Sequence, residues 1–579
     1  MPDTSTLQPA AFNCEGGLVL NRSTFLMQPG EALVLENFEP DVEGGYRRIN
    51  GFRKYVNQIV PQTSSSTEKV LMVARFADRV VAARGEKIFT AGSTELSQKI
   101  VSTTSMTGSG TLNVDSTAGF GSSGTLIINS EEFTYTGITS TTFTGVTRST
   151  SSTTAANHAI DDAVSENWTE RDSGRTSADK YDFERFNFDG NEKLICVDRT
   201  NAPVVFNSSM TATDVSESTV AGSKFVAAFR NHMFYAGKST TPSTIVFSEP
   251  FDEDGFNSGD GAGSINVDDT IVGLKVFRDN LFIFCENRIF KLTGSALANF
   301  AVEPVTRNIG CVNGNTIQEF AGDLIFLGPD GLRTVAGTAR IGDVELGTIS
   351  KNVQSLFDEN ITDSSLFESV VIPDKTQYRI FFTKDTVSQK RTKGVICVMK
   401  GDGFEFAESL GIKPSSTDTL VEAGDVVVIH GTFDGFVQRQ EKGNNFDGTA
   451  ILGRYRSPDL NFGDVGVRKT MHRVILNYKP EANISADLLL RYDNDSVGAS
   501  RPAAYSLTTS TVGAQYGTSV YSTSSSTTQF VYGGGSQPLV RQPVEGSGFT
   551  VALKIDDSGE SPPYSLKGFQ LEYQVGARR

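Results

Sequence analysis

The side chains best suited to chemistry in this 579-residue sequence are four histidines and one acidic run. The histidines are His158, His232, His430 and His472. No two of them have the HxxxH or HExxH spacing of a metal site, and no GxSxG elbow, P-loop or dinucleotide fingerprint accompanies them. We therefore assign all four histidines to structural or surface positions rather than to catalysis.

The strongest candidate for a metal site is the acidic run FDEDGFNSGD at residues 251–260. Its oxygen-bearing side chains, which could surround Ca²⁺, are Asp252, Asp254, Asn257 and Asp260. The run departs from an EF-hand loop, because Gly255 comes too early and the closing bidentate glutamate is absent. The nearby pair Asp268 and Asp269 has the composition of a turn. We interpret both as solvated turns, so the sequence predicts no enzyme and no catalytic, cofactor or metal site.

The five cysteines are scattered, odd in number and without a CxxC pair. They are Cys14, Cys196, Cys285, Cys311 and Cys397. The second, third and fifth lie inside apolar strands. This pattern favours small buried thiols made in a reducing cytosol over disulfides or metal ligands.

A recurring pair of short apolar strands around a polar turn organises most of the chain. The clearest copies are Leu281–Gly294, Leu324–Gly337 and Val426–Gln440. Weaker copies are Arg79–Gly92, Lys193–Asn207, His232–Lys238 with Ile245–Ser248, and Tyr378–Asp385 with Val395–Met399. A lone hairpin cannot bury its apolar face, so copies roughly 40–55 residues apart indicate a stacked array. This interval predicts a β-propeller with six or seven four-stranded blades.

The interval from Gly92 to Lys193 exceeds the others by about 60 residues, which predicts an insertion in a blade loop. The extra stretch, residues 107–164, is rich in Gly, Ser and Thr. Phe133, Tyr135 and Phe143 stand at strand-like spacing within it, which favours a small β-domain. The alternative is a disordered Ser/Thr linker.

The series of hairpins ends near Lys442, and a different arrangement of strands follows. The predicted strands are Arg473–Tyr478, Asp487–Tyr492, Thr550–Ile555 and Gly568–Tyr573, with a Ser/Thr-rich loop at Tyr521–Thr528. Their spacing suggests a β-sandwich. The one predicted helix is Lys351–Asn360, for which Ser350 is the expected N-cap.

The sequence therefore predicts an all-β protein: a β-propeller with a small inserted β-domain and a C-terminal β-sandwich-like domain. The predicted divisions are an N-terminal β-segment (1–60), the propeller (61–103 and 168–448), the insertion (104–167) and the C-terminal domain (449–579). Hydrophobic residues make up 38% and charged residues 21% of the chain, which is typical of a folded protein. No run has the apolar length of a membrane span, and the N-terminus lacks the pattern of a signal peptide.

The formal charge of −16 argues against stable binding of nucleic acid, since such a surface repels phosphates. The sequence also has no basic tract and no interleaving of basic and aromatic residues. An acidic surface that faces passing DNA is compatible with this charge, because repulsion prevents sticking.

The stretch Gly16–Tyr55, GGLVLNRSTFLMQPGEALVLENFEPDVEGGYRRINGFRKY, resembles the opening of tail nozzle proteins of short-tailed bacteriophages. These proteins are also called tail hub or tail tubular protein B-like proteins. The shared elements are Gly16–Gly17, Pro29–Ala32, Asn37, Gly44–Arg48 and Gly51. In physical terms the stretch predicts a strand pair with a Gly44–Gly45 turn, and it places Arg48 for a carboxylate or carbonyl. The propeller core at Gly273–Gly294 and Asn308–Ile341 and the GTLIINSEEFTYTG run of the insertion are similar to phage structural proteins as well.

The resemblance implies a structural component of the virion, made in the host cytoplasm and placed at the distal end of the tail. It implies a homo-oligomer, a hexameric ring, attached beneath a tail adaptor protein and contacted by tail fibre or tailspike proteins. The ring would gate and conduct genomic DNA, which passes transiently through its channel during ejection. We expect the gate in long Gly-rich loops, at Asp252–Asp269 and in the stretch after Tyr521.

Two alternatives stand beside this hypothesis. One is a tail-associated host-receptor protein whose insertion or C-terminal domain binds glycans, although Trp168 is the single tryptophan and is expected to pack where the insertion rejoins the blade. The other is a propeller enzyme such as a glycoside hydrolase or lyase, with carboxylates at the central funnel.

Overall fold

The computed structural model describes most of the chain. The described residues are 7–62, 69–176, 180–335, 348–362, 366–383, 392–401, 403–422, 424–481, 484–509 and 539–578. Their secondary structure is overwhelmingly β-strand. None of their helices is long and apolar enough to cross a membrane.

Five β-sheet units follow one another as propeller blades, each an antiparallel meander of neighbouring strands. The strands of each blade are given from the innermost outwards. Blade 1 contains Met72–Phe76, Arg79–Arg84, Lys87–Glu95 and Thr169–Asp172, and blade 2 contains Asp182–Phe186, Lys193–Val197, Val204–Asn207 and Ala212–Asp214. Blade 3 contains Phe225–Phe229, His232–Ala236, Thr244–Phe247 and Gly263–Asn266; blade 4 contains Ile271–Phe277, Asn280–Cys285, Ile289–Thr293 and Ala301–Thr306; and blade 5 contains Gln318–Phe320, Asp323–Gly328 and Gly331–Thr334.

Two further units belong to larger sheets and complete the ring. They are Leu366–Ile372, Gln377–Thr383, Thr392–Lys400 and Gly403–Leu410 in blade 6, and Pro414–Glu422, Asp425–Thr432, Val437–Gln440 and Phe52–Lys54 in blade 7. The first strand of blade 7 contacts the first strands of both blade 6 and blade 1, which closes the ring. The predicted all-β propeller is therefore confirmed, and each predicted hairpin supplies the second and third strands of one blade.

Strands from the N-terminal segment are distributed over three sheets. Phe52–Lys54 is the fourth strand of blade 7 and pairs antiparallel with Val437–Gln440. Val34–Glu36 joins the last strand of blade 6 to the C-terminal strand Gly453–Arg456. The remaining strands, Gln8–Asn13, Phe38–Pro40 and Tyr46–Arg48, lie in a sheet with the last strand of the chain, Tyr564–Arg578.

The C-terminal strands form two sheets that share one apolar core with blade 6. The first sheet contains Tyr564–Arg578, Val467–Pro480, Leu539–Pro543 and Ser547–Gly548 beside the N-terminal strands. The second runs on from blade 6 through Val34–Glu36, Gly453–Arg456, Val551–Asp557, Ile484–Tyr492 and Tyr505–Thr509. A short pair, Asn445–Phe446 and Thr449–Ala450, extends blade 7. The predicted Tyr521–Thr528 loop lies outside the described residues.

The insertion in blade 1 is an ordered β-structure. Its strands are Thr107–Asn113, Gly124–Ile128, Glu131–Tyr135, Gly137–Ile138, Thr142–Arg148 and Ala163–Ser165. The last of these pairs with the third strand of blade 1, so the insertion continues that sheet. Phe133, Tyr135 and Phe143 are buried in its separate core, and the alternative of a disordered linker is wrong. Trp168 packs where the insertion rejoins the blade, and its indole N–H donates to the Gln58 carbonyl at 2.9 Å.

The helix differs from its prediction at the N-terminus. A 3₁₀ turn, Lys351–Val353, precedes the α-helix Gln354–Ile361. Ser350 is not its cap, because the Ser350 hydroxyl instead accepts the Leu332 N–H at 3.1 Å. Other 3₁₀ turns are Ser258–Asp260, Leu297–Asn299, Gly314–Thr316, Pro373–Lys375 and Asp493–Asp495.

Gly51, just before the strand that completes blade 7, generates the first prediction. A Cβ at Gly51 would lie 1.8 Å from the Asn445 carbonyl oxygen, and the Asn445 backbone can move away only at a high cost in free energy. We expect Gly51→Ala to lower the free energy of unfolding by about 1–3 kcal/mol, measured by denaturant titration. Gly403→Ala is the matched control, because a Cβ there meets nothing within 4 Å, and it should change stability by less than about 0.5 kcal/mol. Equal losses in the two variants would contradict this account of blade 7.

The separate core of the insertion generates the second prediction. The Leu96 N–H donates to the Asp162 carbonyl at 2.9 Å, so the two ends of the insertion are adjacent. Replacing residues 98–160 with a two-glycine linker, together with Leu96→Ser, should leave a folded propeller. Circular dichroism should retain the β-signal and cooperative thermal unfolding. A shortened chain without a cooperative transition would show that the insertion is part of the propeller core.

Candidate functional site

The residues of the N-terminal motif lie where blades 6 and 7 meet the C-terminal sheets. Tyr46 is fully buried, and its hydroxyl donates to the Gly30 carbonyl at 2.6 Å and accepts the Gly17 N–H at 3.1 Å. A Cβ at Gly45, which has a φ of +91°, would lie 2.3 Å from the Leu566 carbonyl oxygen. The predicted turn at this position therefore packs directly on the last strand of the chain.

Asn37 connects the last strand of blade 6 to the C-terminal region. Its side-chain oxygen accepts the Leu410 N–H at 2.8 Å, and its NH₂ group donates to the carbonyls of Leu410 and Leu452 at 3.1 and 2.9 Å. Its φ of 53° is in the left-handed region, which asparagine tolerates better than most residues. This explains the residue type at that motif position.

Glu39 is the centre of a buried ion-pair network. One carboxylate oxygen contacts Lys375 at 2.7 Å and Arg47 at 3.2 Å, and the other contacts Arg379 at 3.0 Å. Burial alone would raise the pKa of Glu39, but the three cations outweigh it and lower the pKa to about 2. Because Lys375 and Arg379 belong to blade 6, the network ties the N-terminal segment to the propeller.

Arg48 is also fully buried and makes the contacts that the sequence predicts for it. Its guanidinium lies 3.4 Å from the Asp557 carboxylate and donates to the carbonyls of Ile451 and Ser561 at 3.0 and 2.6 Å. Burial raises the pKa of Asp557, and Arg48 opposes that rise. The expectation of a carboxylate or carbonyl partner for Arg48 is confirmed. Arg48 and Glu39 thus have structural partners, and the motif is a joint rather than a reactive site.

A cavity of about 320 Å³ lies at the centre of the propeller. The first strands of several blades line it, and two ion pairs cross between blades there: Lys180 with Glu368, and Arg185 with Asp418. Burial raises the pKa of Asp418, against the effect of Arg185. These pairs join blade 2 to blades 6 and 7 around the axis.

Glu184 and Lys275 line the same cavity without such partners. The side chain of neither residue makes a hydrogen bond, or an ion pair within 4 Å, to any described residue. Burial raises the pKa of Glu184 to about 7, even though Lys275 acts in the opposite direction. A carboxyl group with this pKa can exchange a proton near neutral pH. Asp182, two residues away, instead accepts the Val226 N–H at 3.1 Å.

The four carboxylates of the cavity differ in their partners. Glu368 and Asp418 are held by cations, Asp182 accepts one backbone N–H, and the Glu184 side chain has no hydrogen bond to a described residue. The arrangement can therefore bind a polar molecule by hydrogen bonds.

Three of the four histidines are buried, which matches the structural assignment, and the fourth is exposed. His158 Nε2 lies 2.8 Å from Glu131, and His232 Nδ1 lies 2.6 Å from the Ser248 carbonyl oxygen. His430 packs edge-on against Phe52, and burial lowers its pKa to about 3. His472 is exposed on a C-terminal strand, which begins earlier, at Val467, than the sequence predicts.

The acidic run consists of hydrogen-bonded turns. Asp252 accepts the Asp254 N–H at 3.0 Å, Asp254 accepts the Ser216 N–H at 2.8 Å, and Asn257 accepts the Gly259 N–H at 3.0 Å. Asp260 accepts a hydrogen bond from the side chain of Asn257.

The carboxylate of Asp269 accepts the N–H of Asn287 at 3.1 Å, so it is held by the hairpin turn of blade 4. In the part of the chain that the structure describes, no group of three or more His, Cys, Asp or Glu side chains could hold a metal ion.

All five cysteines are free and buried, as the sequence predicts for three of them. Burial raises the pKa of Cys14, Cys285 and Cys311 to about 12, so these thiols stay protonated near neutral pH. The pKa of Cys196 and Cys397 is raised as well, by the same desolvation.

The polar residues of the central cavity are missing from the sequence-based prediction. The signal that could have revealed them is the strand Asp182–Phe186, DFERF, whose charges interrupt an otherwise apolar series of blade strands. Charged residues are costly in a propeller core unless they face its axis. The partners Asp418 and Glu368 are far away in sequence and carry no comparable local signal.

No protein-family model matches the sequence, and a search of curated proteins finds no match. Solved structures give only distant similarities. The extracellular domain of a hybrid two-component system from B. thetaiotaomicron has a TM-score of 0.36 and 7% identity over 68% of this chain and 39% of that one. Exo-beta-1,3-galactanase from Phanerochaete chrysosporium has a TM-score of 0.23 and 10% identity over 82% of this chain and 100% of that one. PorZ of the Porphyromonas gingivalis type-IX secretion system has a TM-score of 0.28 and 10% identity over 70% and 44%. Similarities this distant carry no argument about function.

The Glu39 network generates the third prediction. Glu39→Gln removes one of the two carboxylates that share Lys375 and Arg379; the other, Glu441, remains, and Arg47 keeps Glu481. We therefore expect a loss of about 1.5–3 kcal/mol in unfolding free energy. Because the folded pKa of Glu39 lies below its ordinary value of 4.5, its contribution is complete above pH 4.5 and is lost as the pH falls toward 2. Denaturant titrations from pH 7 to pH 3 should therefore show a shallower acid dependence in the variant.

The matched control is Glu303→Gln, which makes the same chemical change at an exposed pair. Glu303 lies 2.9 Å from Lys291, and its side chain is 53% exposed. This variant should lose less than about 1 kcal/mol. An equally small loss for Glu39→Gln would contradict the role assigned to the buried network.

Proposed function

We propose that this chain is a structural component of a bacteriophage tail, a subunit of the distal nozzle ring. In this role it gates and conducts DNA during ejection and attaches fibres or spikes. Its partners are further copies of itself, in a homohexamer, with the tail adaptor protein and fibre or tailspike proteins. The observation that carries the proposal is the resemblance of Gly16–Tyr55 to the opening of nozzle proteins of short-tailed phages.

The use of that motif in the fold supports the proposal. Four of its distinctive residues, Asn37, Tyr46, Arg47 and Arg48, lie at the joint between the propeller and the C-terminal sheets. A motif that sets the relative position of the two halves of a subunit is required in any protein built as a rigid wall. The contacts of the motif within one chain support a role in assembly and require no catalytic role for its residues.

The distribution of charge is a second support. Residues 1–448 carry 39 Lys and Arg against 57 Asp and Glu, whereas residues 449–579 carry 13 against 11. The propeller part therefore repels both DNA and other propellers, while the C-terminal part is nearly neutral. In a ring, repulsion between subunits is lower if each contact includes the nearly neutral C-terminal part of one of the two copies. The acidic surface of the ring then lets DNA pass.

The expected gate loops remain a prediction. The first, Asp252–Asp269, is not the long loop that the sequence predicts, because it contains the hydrogen-bonded acidic turns and the last strand of blade 3. Its Asp254 carboxylate accepts the N–H of Ser216, which follows the last strand of blade 2. The second, after Tyr521, lies outside the described residues.

Analysis of phage particles that encode this chain is the fourth prediction and tests the proposed function. Quantitative peptide mass spectrometry of gradient-purified particles should find the chain at about six copies per genome, as a hexameric ring requires. Particles that lack the chain altogether would overturn the proposal. A purified chain that stays at the 62.4 kDa mass of one copy and hydrolyses host polysaccharide would overturn it as well.

The shortened chain, in which residues 98–160 are replaced, distinguishes the receptor-binding alternative from the proposed nozzle function. A nozzle subunit should tolerate this deletion with unchanged adsorption of particles to the host. Adsorption that is lost while the particles still contain the shortened chain would assign receptor binding to the insertion.

A further inference from the structure

The central cavity of the propeller has the size and the chemistry of a site for a small ligand. Its volume of about 320 Å³ is at the lower end of the range typical of small-molecule sites. Around the axis, the Lys180–Glu368 and Arg185–Asp418 pairs neutralise four of its charged groups. The occupied groups form a rigid frame, because each pair connects two blades.

Other polar groups of the frame are also occupied by the protein. The Thr417 hydroxyl donates to the Ser369 carbonyl at 2.8 Å, and the Gln318 side chain donates to the Ser369 hydroxyl at 3.2 Å. The Thr419 hydroxyl donates to the Val371 carbonyl at 3.1 Å. These contacts fix the wall of the cavity and leave few groups able to bind a ligand.

Glu184 and Lys275 are the charged side chains of the wall without a hydrogen bond or close ion pair to a described residue. Each is only partly exposed, so each is removed from much of the bulk water that would otherwise solvate it. An acceptor and a donor left open in a partly buried cavity are costly unless a bound molecule or water satisfies them. Glu184 supplies the acceptor and Lys275 the donor.

We propose that this cavity binds a neutral pyranose sugar whose hydroxyl groups bridge the Glu184 carboxylate and the Lys275 ammonium. A hydroxyl both donates and accepts, so neighbouring hydroxyls of one sugar satisfy both groups at once. A pyranose holds its hydroxyls on a rigid ring, so it loses less conformational freedom on binding than an open-chain polyol does. The frame is neutralised by its own ion pairs, so an uncharged ligand fits it better than an anion or a cation.

This site does not depend on the proposed role in a tail, since it uses the propeller of a single chain. It differs from the glycan-binding alternative, which places recognition in the insertion or the C-terminal domain. It also requires no catalysis, because Glu184 is the one carboxylate of the wall that is free of a protein partner.

The fifth prediction tests this proposal by saturation-transfer NMR on the full chain. The probes are D-glucose, D-galactose and N-acetyl-D-glucosamine, with the open-chain polyol sorbitol as a control ligand. At least one pyranose should receive saturation with a dissociation constant in the millimolar range or tighter, and sorbitol should receive at least fivefold less. Absence of transfer to all three pyranoses, or equal transfer to sorbitol, would overturn the proposal.

The variants Glu184→Gln and Lys275→Met locate the binding. Both should fold normally, because neither side chain makes a hydrogen bond or close ion pair that the substitution would break. Each should weaken binding at least fivefold. The matched control changes an exposed pair on blade 4, Glu303→Gln with Lys291→Met, and should leave binding unchanged. Binding that survives in both cavity variants would place the sugar elsewhere and refute the assignment. If either variant unfolds, Glu184→Ala or Lys275→Gln takes its place, with the same expected loss.

Discussion

The Glu39 carboxylate, buried among Arg47, Lys375 and Arg379, is the interaction on which the rest of the structure depends. Removing a carboxylate from water costs several kcal/mol, and this cost is offset only when cations surround the group. Two of its cations come from blade 6 and one from the N-terminal segment. The network therefore couples the position of the N-terminal segment to blade 6.

The fourth strand of blade 7 comes from the same segment. The segment that carries Glu39 continues into Phe52–Lys54, which completes blade 7, while Tyr46–Arg48 pairs with the last strand of the chain. The N-terminal segment and the last described strand thus meet at the same place, where the propeller and the C-terminal sheets share one core. A body closed in this way resists opening of individual blades, which suits a wall that carries load. The ion pairs at the axis, Lys180–Glu368 and Arg185–Asp418, add cross-links between blades on the inner side.

The parts of the fold that depend on local pattern could be predicted from the sequence. Two apolar strands around a polar turn predict each blade hairpin, and the unusually long interval before Lys193 predicts the insertion. The partner of Arg48 was predictable by type, because a buried arginine needs carboxylates or carbonyls. Which sheets receive the N-terminal strands was not predictable, since Phe52 pairs with Gln440 and Gln8 with Tyr573 across most of the chain. Ser350 failed as a helix cap because its hydroxyl accepts the Leu332 N–H, a tertiary contact that no local rule contains. Glu184 and Lys275 were also not predictable from local pattern, because only closure of the ring brings them to one cavity.

We propose that the chain is a wall subunit of a ring at a tail tip. Cryo-electron microscopy of the tail tip of phage particles that encode the chain tests it most directly. The account predicts six copies of the propeller around one channel at the distal end, with the Glu39 joint of each copy resolved between its propeller and its C-terminal sheets. A tail tip without such a ring, or with this chain attached only as an isolated appendage outside the channel wall, would contradict it.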